Sequence, residues 1–277
     1  MMIVSDCDGT LLNSGREIPE RNLKAIRHFV GEGGRFVIAT GRPRNGARHI
    51  VDSLSLGETL GIYFNGALIY DGAKKQPLYM DELKVDISAV LKSIQHQFPQ
   101  VGLEAFTLDQ AFIIQDHPIT RYHFQILRET PVFSTAEQAP RRGVLKLFAT
   151  GENSVLRKVQ AYLMECFPNM FNAVLSGDTF LEIFSLSSSK GNAVKELRRR
   201  YPEVRLLCAV GDNYNDIPMF READRAFIPA DGVEAAKEWG TPVCSCDDGA
   251  IADVISLLGN MVQSDWPDLS SSACPAI

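Results

Sequence analysis

The sequence predicts an α/β protein with a parallel sheet, into which a second, α+β unit is inserted. Apolar strand-like runs alternate with helical patterns near both ends of the 277-residue chain, and this alternation favours parallel strands joined by right-handed crossovers. The middle of the chain lacks that rhythm. It is also long enough, at about 100 residues, to form a domain of its own.

The first segment has the order strand, helix, strand, helix, strand. A short apolar run at residues 2–5 predicts the first strand, and apolar residues at helical spacing over 19–30 predict the first helix. Residues 36–39 form a continuous apolar run, as expected for a strand buried on both faces. A helical pattern then continues to about residue 54, and residues 62–64 predict the third strand.

The middle segment mixes helices with short strands in no regular alternation. We predict helices at 87–98, 119–127 and 154–167, strands at 101–107, 112–115 and 144–149, and a hairpin formed by 171–175 and 179–184. The predicted domains are therefore a core made of residues 1–82 with 186–277, and an inserted cap made of residues 83–185.

The alternation returns in the last part of the chain. Helices are predicted at 190–201, 233–239 and 250–258, with strands at 206–210, at 226–228 and around Val243. The tail from Asn260 to the end is expected to be poorly ordered.

Composition and charge exclude several classes of protein. Hydrophobic residues make up 45% of the chain and charged residues 22%, which is typical of a globular protein and not of a disordered one. The net charge of −6 argues against general nucleic-acid binding, which needs a basic surface. The sequence has no apolar run near the roughly 18–20 residues that cross a bilayer. The first residues also lack the pattern of a secretory signal. We therefore expect a cytoplasmic protein without a membrane or nucleic-acid partner, as a monomer or small homo-oligomer.

Several common kinds of site lack their signatures. The six cysteines form no CxxC pair, so a zinc site is not expected, and the sequence has no HExxH, P-loop or strand-linked GxGxxG motif. Cys7 lies between two aspartates, which raise a thiol pKa, so its backbone is expected to matter more than its sulfur.

Three of the predicted strands end in polar turns that are expected to meet. The turns are Asp6-Cys7-Asp8, Thr40-Gly41-Arg42 and Gly211-Asp212. Ligands of open α/β sheets bind beyond the carboxyl ends of the strands, so these turns predict one shared pocket. An Asp-Gly turn alone could be a purely structural Asx turn. The combination of the three turns favours a functional site.

The pocket should gather acidic groups and phosphate-binding groups. A cluster of Asp6, Asp8, Asp212 and Asp216 would repel itself, and Mg²⁺ resolves that conflict because it prefers carboxylate oxygen ligands. Thr40, Arg42 and Lys190, together with backbone amides, can bind phosphate in the same pocket. Arg42 could equally be an exposed surface residue, and for Lys190 position alone favours a surface charge, so that only its Ser-Lys-Gly context argues for the site.

Four motifs carry a family resemblance. Asp6-Cys7-Asp8-Gly9-Thr10-Leu11-Leu12 resembles the first signature of the haloacid dehalogenase-like superfamily, and Thr40-Gly41-Arg42 resembles the second. Ser188-Ser189-Lys190-Gly191 and Gly211-Asp212-Asn213-Tyr214-Asn215-Asp216 are similar to the third and fourth. The segment Phe64-Asn65-Gly66-Ala67 and the inserted cap resemble the Cof-type phosphatase branch.

The resemblance implies a Rossmann-like core and Mg²⁺-dependent hydrolysis of phosphate monoesters through an aspartyl phosphate. By motif, Asp6 is the nucleophile and Asp8 is the general acid and base. The metal would be held by Asp6, by the Asp8 backbone carbonyl and by Asp212, with Asp216 and Asn215 orienting its waters or the phosphate. The phosphate contacts implied are Cys7, through its amide, and Thr40, Gly41, Arg42, Lys190 and Asn215.

The substrate and two rival functions stay open from sequence alone. The branch usually acts on small phosphorylated metabolites, often sugar phosphates, and the cap should determine which one. His117, Arg121, Tyr122 and His123 of the cap could face the substrate, or could simply pack or lie at the surface. A phosphomutase of the same superfamily and a non-catalytic phosphate sensor are the alternatives. Asn65 and Gly66 are interpreted as a turn in preference to a part of the pocket rim.

Overall fold

The computed structural model describes residues 1–57 and 59–265, and within them fourteen strands and nine α-helices form two sheets with flanking helices. The strands are β1 (Met2–Asp6), β2 (Arg35–Ala39), β3 (Leu60–Tyr63), β4 (Leu68–Asp71), β5 (Gln76–Met80), β6 (Gly102–Phe106), β7 (Ala111–Gln115), β8 (Val132–Phe133), β9 (Lys146–Thr150), β10 (Asn172–Ser176), β11 (Phe180–Phe184), β12 (Leu207–Val210), β13 (Arg225–Pro229) and β14 (Thr241–Val243). The helices are α1 (Glu20–Gly31), α2 (Arg48–Leu54), α3 (Ile87–Gln97), α4 (Pro118–Leu127), α5 (Asn153–Cys166), α6 (Lys190–Arg200), α7 (Ile217–Glu222), α8 (Glu234–Lys237) and α9 (Ala250–Asp265).

The first sheet has eight strands in the order β14-β13-β12-β1-β2-β3-β4-β5. Its neighbours are parallel from β14 to β3, which confirms the predicted α/β fold with a parallel sheet. Alternate residues of β1 pack on opposite faces: Ile3 packs with α1, α2 and α9, whereas Val4 packs with α6, α7 and α8. Burial on both faces explains why these strands are continuous apolar runs.

The far edge of this sheet differs from the prediction. The sequence predicts no strand in residues 67–82, but β4 and β5 extend the sheet there as antiparallel strands. A 3-10 turn at Phe64–Gly66 reverses the chain between β3 and β4, with Phe64 and Asn65 both at positive φ. The residues of β5 are partly or fully exposed, and Pro77 within this short segment argues against a strand in the sequence.

The second sheet has six strands in the order β10-β11-β9-β6-β7-β8, antiparallel except for the β7–β8 pair. One of its faces is aliphatic and packs on α3 and α5. The opposite face turns toward the first sheet, where Phe106 lies 6.2 Å from Phe64 between ring centroids. Because one hydrophobic cluster joins residues such as Ile3 and Phe148 from both sheets, the domain boundaries at 82/83 and 185/186 stay a prediction.

A few element predictions need correction. The short strand β8 and the helix α7 were not predicted, and the helix predicted at 233–239 is only the four-residue α8. The last helix does not end at 258: it continues to Asp265, so residues 260–265 are helical where a poorly ordered tail was expected. Residues 266–277 of that predicted tail lie outside the described residues. None of the described helices is both long and apolar enough to span a membrane.

Candidate functional site

The site lies at the carboxyl ends of three adjacent parallel strands. Since β1 lies between β2 and β12, Asp6 at the end of β1 neighbours Thr40, just after β2, and Asp212, just after β12. The sheet order therefore brings together the three polar turns that the sequence singled out.

Three carboxylates and one ammonium group form the centre of the site. Oxygen atoms of Asp6, Asp212 and Asp216 all lie within 4.8 Å of one another. Lys190 Nζ lies 2.5 Å from Asp6 Oδ1 and 2.6 Å from Asp216 Oδ1. The surface interpretation of Lys190 is wrong, because this residue is completely buried.

Burial and mutual repulsion govern the charges of this cluster. Burial raises the pKa of Asp6, an effect that Lys190 opposes and that Asp216 and Asp212 reinforce. Burial also raises the pKa of Asp212, against the hydrogen bond from Thr10. For Lys190, burial acts to lower the pKa, but attraction to Asp216 and Asp6 outweighs it and the pKa is raised. Lys190 is therefore a permanent cation in a cluster where Asp6 and Asp212 are costly to ionise.

Hydrogen bonds with the Asp216 and Thr10 side chains hold the loop around Asp212 in place. Asp216 Oδ2 accepts hydrogen bonds from the backbone N–H groups of Asp212 and Asn213, both at 3.0 Å. Thr10 Oγ1 donates to Asp212 Oδ1 at 2.8 Å. At Gly9, with φ of +82°, a Cβ would lie 2.8 Å from Asp212 Oδ2. A glycine is thus required for the first motif to approach the fourth so closely.

The side chain of Asp8 lies outside the three-carboxylate cluster. It forms a two-pronged ion pair with Arg42, whose Nη2 and Nε lie 2.6 Å and 3.0 Å from the two carboxylate oxygens. About half of the Asp8 side chain is exposed, whereas that of Arg42 is 15% exposed. Arg42 is therefore not a surface residue. The expected metal contact of Asp8 concerned its backbone carbonyl and stays a prediction.

Two further predicted residues are held by local structure. Thr40 is buried, and its Oγ1 accepts a hydrogen bond from the Arg42 backbone N–H at 3.1 Å. The Cys7 thiol is buried within the hydrophobic core, where burial raises its pKa and the carboxylates of Asp6 and Asp8 raise it further. The Cys7 sulfur is therefore unsuited to chemistry, as its position between two aspartates predicted.

A cavity of about 450 Å³ opens between the two sheets at this point. Its lining from the first sheet and the adjoining loops includes Asp6, Asp8, Gly41, Arg42, Asn65 and Asn215, and its lining from the second sheet and α4 includes His123, Phe148, Phe180 and Glu182. Carboxylates, amides and the Arg42 guanidinium at one side thus share a space with three aromatic rings and Glu182 at the other.

Sequence reasoning missed a polar chain that links the two sheets across this cavity. Asn215 Nδ2 donates to Asn65 Oδ1 at 3.1 Å, and Asn65 Nδ2 lies 3.4 Å from Glu182 Oε2. The fully buried Lys146 donates to the same Glu182 oxygen at 2.7 Å and lies 3.4 Å from the Gly41 carbonyl oxygen. Asn65 is therefore both a turn residue and part of the cavity wall. The available signal for Lys146 and Glu182 was a charge within an otherwise apolar strand.

Of the four cap residues considered from sequence, His123 lines the cavity. His117 caps α4 by accepting from the Ile119 backbone N–H, and Arg121 pairs with Asp116. Tyr122 is 60% exposed. His123 is therefore the candidate substrate contact among the four, whereas His117 and Arg121 have local structural contacts and Tyr122 is exposed.

Comparison with known proteins identifies the family. The family model for haloacid dehalogenase-like hydrolases matches residues 3–255. A Bacillus subtilis protein named "Putative phosphatase YxeH" is 28% identical over 257 residues, which cover 86% of this chain and 90% of that protein. An Arabidopsis thaliana protein named "Endoribonuclease YBEY, chloroplastic" is 30% identical over 271 residues. That match covers 91% of this chain but only 45% of the plant protein, so its name describes a much longer chain.

Solved structures share the fold. A haloacid dehalogenase-like hydrolase from Bacteroides thetaiotaomicron superposes with a TM-score of 0.83 at 22% identity, covering 93% of this chain and 98% of its own. A sugar phosphatase of haloacid dehalogenase subclass IIB gives a TM-score of 0.77 at 17% identity, with the same coverage of 93% and 98%. The chain therefore belongs to the haloacid dehalogenase-like hydrolases, in the Cof-type branch that its motifs predicted.

Proposed function

We propose that the protein is a Mg²⁺-dependent phosphatase that hydrolyses phosphate monoesters of small metabolites through an aspartyl phosphate on Asp6. The observation that carries this proposal is the convergence of Asp6, Asp212, Asp216 and Lys190 beside a cavity that also contains Asp8. Phosphoryl transfer depends on positioning and on stabilising negative charge, and this arrangement supplies groups for both.

The charge of the cluster fits a divalent cation. Three carboxylates carry −3 and Lys190 carries +1, which leaves −2 when all the groups are ionised. Mg²⁺ would balance that charge, and hard carboxylate oxygens within 4.8 Å of one another are suitable ligands for it. Asp6, Asp212 and Asp216 would hold the ion, with the Asp8 carbonyl as a further ligand. When bound, it would neutralise the developing charge on the phosphoryl oxygens.

The two aspartates of the first motif divide the reaction into two displacements. An Asp6 oxygen bonds to phosphorus while the bond from phosphorus to the alcohol oxygen breaks, and Asp8 gives its proton to that departing oxygen. Asp8, now a carboxylate, takes a proton from water as the water oxygen bonds to phosphorus. The Asp6–phosphorus bond then breaks, which releases phosphate and restores both side chains.

The pairing of Asp8 with Arg42 links proton transfer to phosphate binding. A protonated Asp8 no longer attracts the guanidinium, which is then free to bind a phosphate oxygen. Thr40, Lys190, Asn215 and the amides of Cys7 and Gly41 supply the other phosphate contacts. Arg42 thus serves the free enzyme as a partner of Asp8 and the substrate complex as an anion-binding group.

The substrate class follows from the size of the cavity and from relatives. A space of about 450 Å³ suits a small phosphorylated metabolite. A sugar phosphatase among the structural neighbours supports sugar phosphates as candidates, and an Escherichia coli relative is an HMP-PP phosphatase. Cytoplasmic location and a monomeric or small oligomeric state stay predictions from the sequence.

The test is phosphate release from a panel of sugar phosphates and nucleotides, with Mg²⁺ and with EDTA. We expect release only with Mg²⁺, and none from Asp6→Asn, since an amide is nearly isosteric with the carboxylate but a poor nucleophile. Circular dichroism should show that this variant stays folded. Retained turnover in Asp6→Asn would remove Asp6 from the nucleophile role. An isomerised sugar phosphate without free phosphate would favour the phosphomutase, and binding without turnover would favour the sensor.

A further inference from the structure

Three aromatic rings form the part of the cavity that belongs to the second sheet and α4. His123, Phe148 and Phe180 all line the cavity that contains Asp6 and Asp8, and we call them the aromatic wall. The His123 ring centroid lies 4.7 Å from that of Phe180 and 4.9 Å from that of Phe148. The phenylalanine centroids are 6.1 Å apart. The three rings are therefore in mutual contact.

A buried acid fixes the orientation of the histidine. Glu104 is completely buried, and its Oε2 lies 2.7 Å from His123 Nδ1. A carboxyl group in such a position is costly unless it is hydrogen-bonded, so the pair holds the ring firmly. With Nδ1 engaged by Glu104, Nε2 is the ring nitrogen that can hydrogen-bond a molecule in the cavity.

Strand register explains why these groups lie together. Phe148 is directly opposite Glu104 on one side and Glu182 on the other, so all three side chains are on the same face of the sheet. Phe180 precedes Glu182 by two residues and shares that face. The other face of the same strands carries Leu, Ala and Ile against α3 and α5. The acids and aromatics are thus confined to the face that looks onto the cavity.

We infer that the aromatic wall binds the alcohol part of the substrate and selects phosphate esters whose alcohol carries a flat ring with a hydrogen-bonding atom at its edge. This inference rests on the proposed phosphatase function. The first sheet and its loops supply the groups for the phosphate, so the wall is left for the leaving group. A flat ring can pack against the three aromatic rings while Nε2 of His123 forms a hydrogen bond with one polar atom at the edge of that ring. A saturated polyol has no flat face for the two phenylalanine rings, so its hydroxyl groups would depend on the polar part of the lining, such as Asn65 and Glu182.

The experiment compares kcat/KM for two flat-ring esters, pyridoxal 5′-phosphate and benzyl phosphate, with that for glycerol 3-phosphate and glucose 6-phosphate. The wild type should prefer pyridoxal 5′-phosphate most, and benzyl phosphate, which has the flat ring but no hydrogen-bonding atom at its edge, should lie between it and the saturated esters. Phe180→Leu and His123→Ala should each lower kcat/KM for pyridoxal 5′-phosphate by about 2- to 12-fold, the range for loss of one aromatic contact or hydrogen bond. The kcat/KM for glycerol 3-phosphate should stay unchanged in both variants. The matched control is Tyr122→Leu, because Tyr122 is next to His123 on α4 but is 60% exposed. This variant should leave kcat/KM unchanged for both substrates.

The outcomes separate this inference from the proposed function. Preference of the wild type for the sugar or glycerol esters, or an equal loss on all substrates in both variants, would overturn the role of the aromatic wall. If no ester releases phosphate, the proposed function fails, and calorimetric binding still tests the wall. Asp6→Asn should then bind pyridoxal 5′-phosphate more tightly than glycerol 3-phosphate, and adding His123→Ala should remove that difference. Equal binding of the two esters by Asp6→Asn would refute the inference independently of turnover.

Discussion

Replacing Lys190 with Met tests the charge balance at the centre of the site. Methionine keeps most of the apolar stem, so the main loss is the ammonium group, which contacts Asp6 at 2.5 Å and Asp216 at 2.6 Å without solvent access. Removal of one partner from a buried ion pair costs about 3–5 kcal/mol, because the remaining charge stays buried. Here two carboxylates lose the same cation. We therefore expect the free energy of unfolding to fall by at least about 3 kcal/mol.

Urea unfolding in EDTA measures this loss, and added Mg²⁺ tests its origin. A cation that binds only the folded state at 100 times its Kd stabilises it by about 2.7 kcal/mol. If Mg²⁺ occupies the carboxylate cluster, it should stabilise Lys190→Met more than the wild type, because the cluster of the variant carries one more uncompensated negative charge. The difference in the free energy of unfolding between the two proteins should then become smaller. Phosphatase activity should be lost even with Mg²⁺, because Lys190 is proposed to bind a phosphate oxygen.

Lys195→Met is the matched control on the same helix. The Lys195 side chain is 59% exposed and pairs with Glu222 at 3.2 Å, and such surface pairs contribute about 0–1 kcal/mol. If Lys190→Met lowers the free energy of unfolding by no more than the control does, the claim that Lys190 compensates buried charge is refuted. A loss of the expected size that Mg²⁺ leaves unchanged would instead argue against a metal at the three carboxylates.

Two further predictions concern buried acids outside the three-carboxylate cluster. Asp81 is buried and accepts hydrogen bonds at 2.8–2.9 Å from the hydroxyls of Ser185, Ser187 and Ser188, so it ties together the two segments that connect the sheets. Asp81→Ala should lower the free energy of unfolding by about 2–4 kcal/mol in urea titrations, and a loss below about 1 kcal/mol would contradict this role. Burial raises the pKa of Glu104, although His123 opposes the shift. The protonated Glu104 side chain therefore stabilises the folded protein at a pH below the pKa that Glu104 has in the unfolded chain. This stabilisation is lost as the pH rises through the pKa of Glu104 in the folded protein. Because Glu104→Gln cannot titrate, its stability relative to wild type should improve as pH rises from about 4 to about 8, and a pH-independent difference would contradict the shift.

The parallel core could be predicted because its physical cause is local in sequence. Strands buried on both faces are apolar along most of their length, and β1, β2 and β12 carry the apolar runs 2–4, 36–39 and 207–210. The edge strand β5 is partly or fully exposed and contains Pro77, which argues against a strand in a sequence. What the prediction lacked was knowledge of which strands lie at the edge, and this depends on the order of strands in the folded sheet.

The end of the site at the first sheet, which we propose holds phosphate and metal, was predictable for a related reason. Asp6 is the last residue of β1 and Thr40 directly follows β2, and parallel neighbours bring such positions to one edge of the sheet. Exposure was not predictable in the same way. Nothing near Arg42 in the sequence indicates that Asp8 will pair with it and shield it, and only the motif context of Lys190 argued against a solvated side chain.

The cavity wall on the second sheet could not be predicted because it depends on antiparallel register between segments far apart in the chain. Glu104 faces Phe148, and Phe148 faces Glu182, only because β9 lies between β6 and β11 in one particular alignment. A shift of one residue would turn the two acids toward α3 and α5 and leave them among aliphatic side chains. Burying two carboxyl groups there without partners would cost several kcal/mol, so Glu104 and Glu182 themselves act against the wrong register. The same residues that shape the cavity thus help to specify the sheet that carries it. For this reason we expect substitutions at Glu104 or Glu182 to affect folding and substrate selection together.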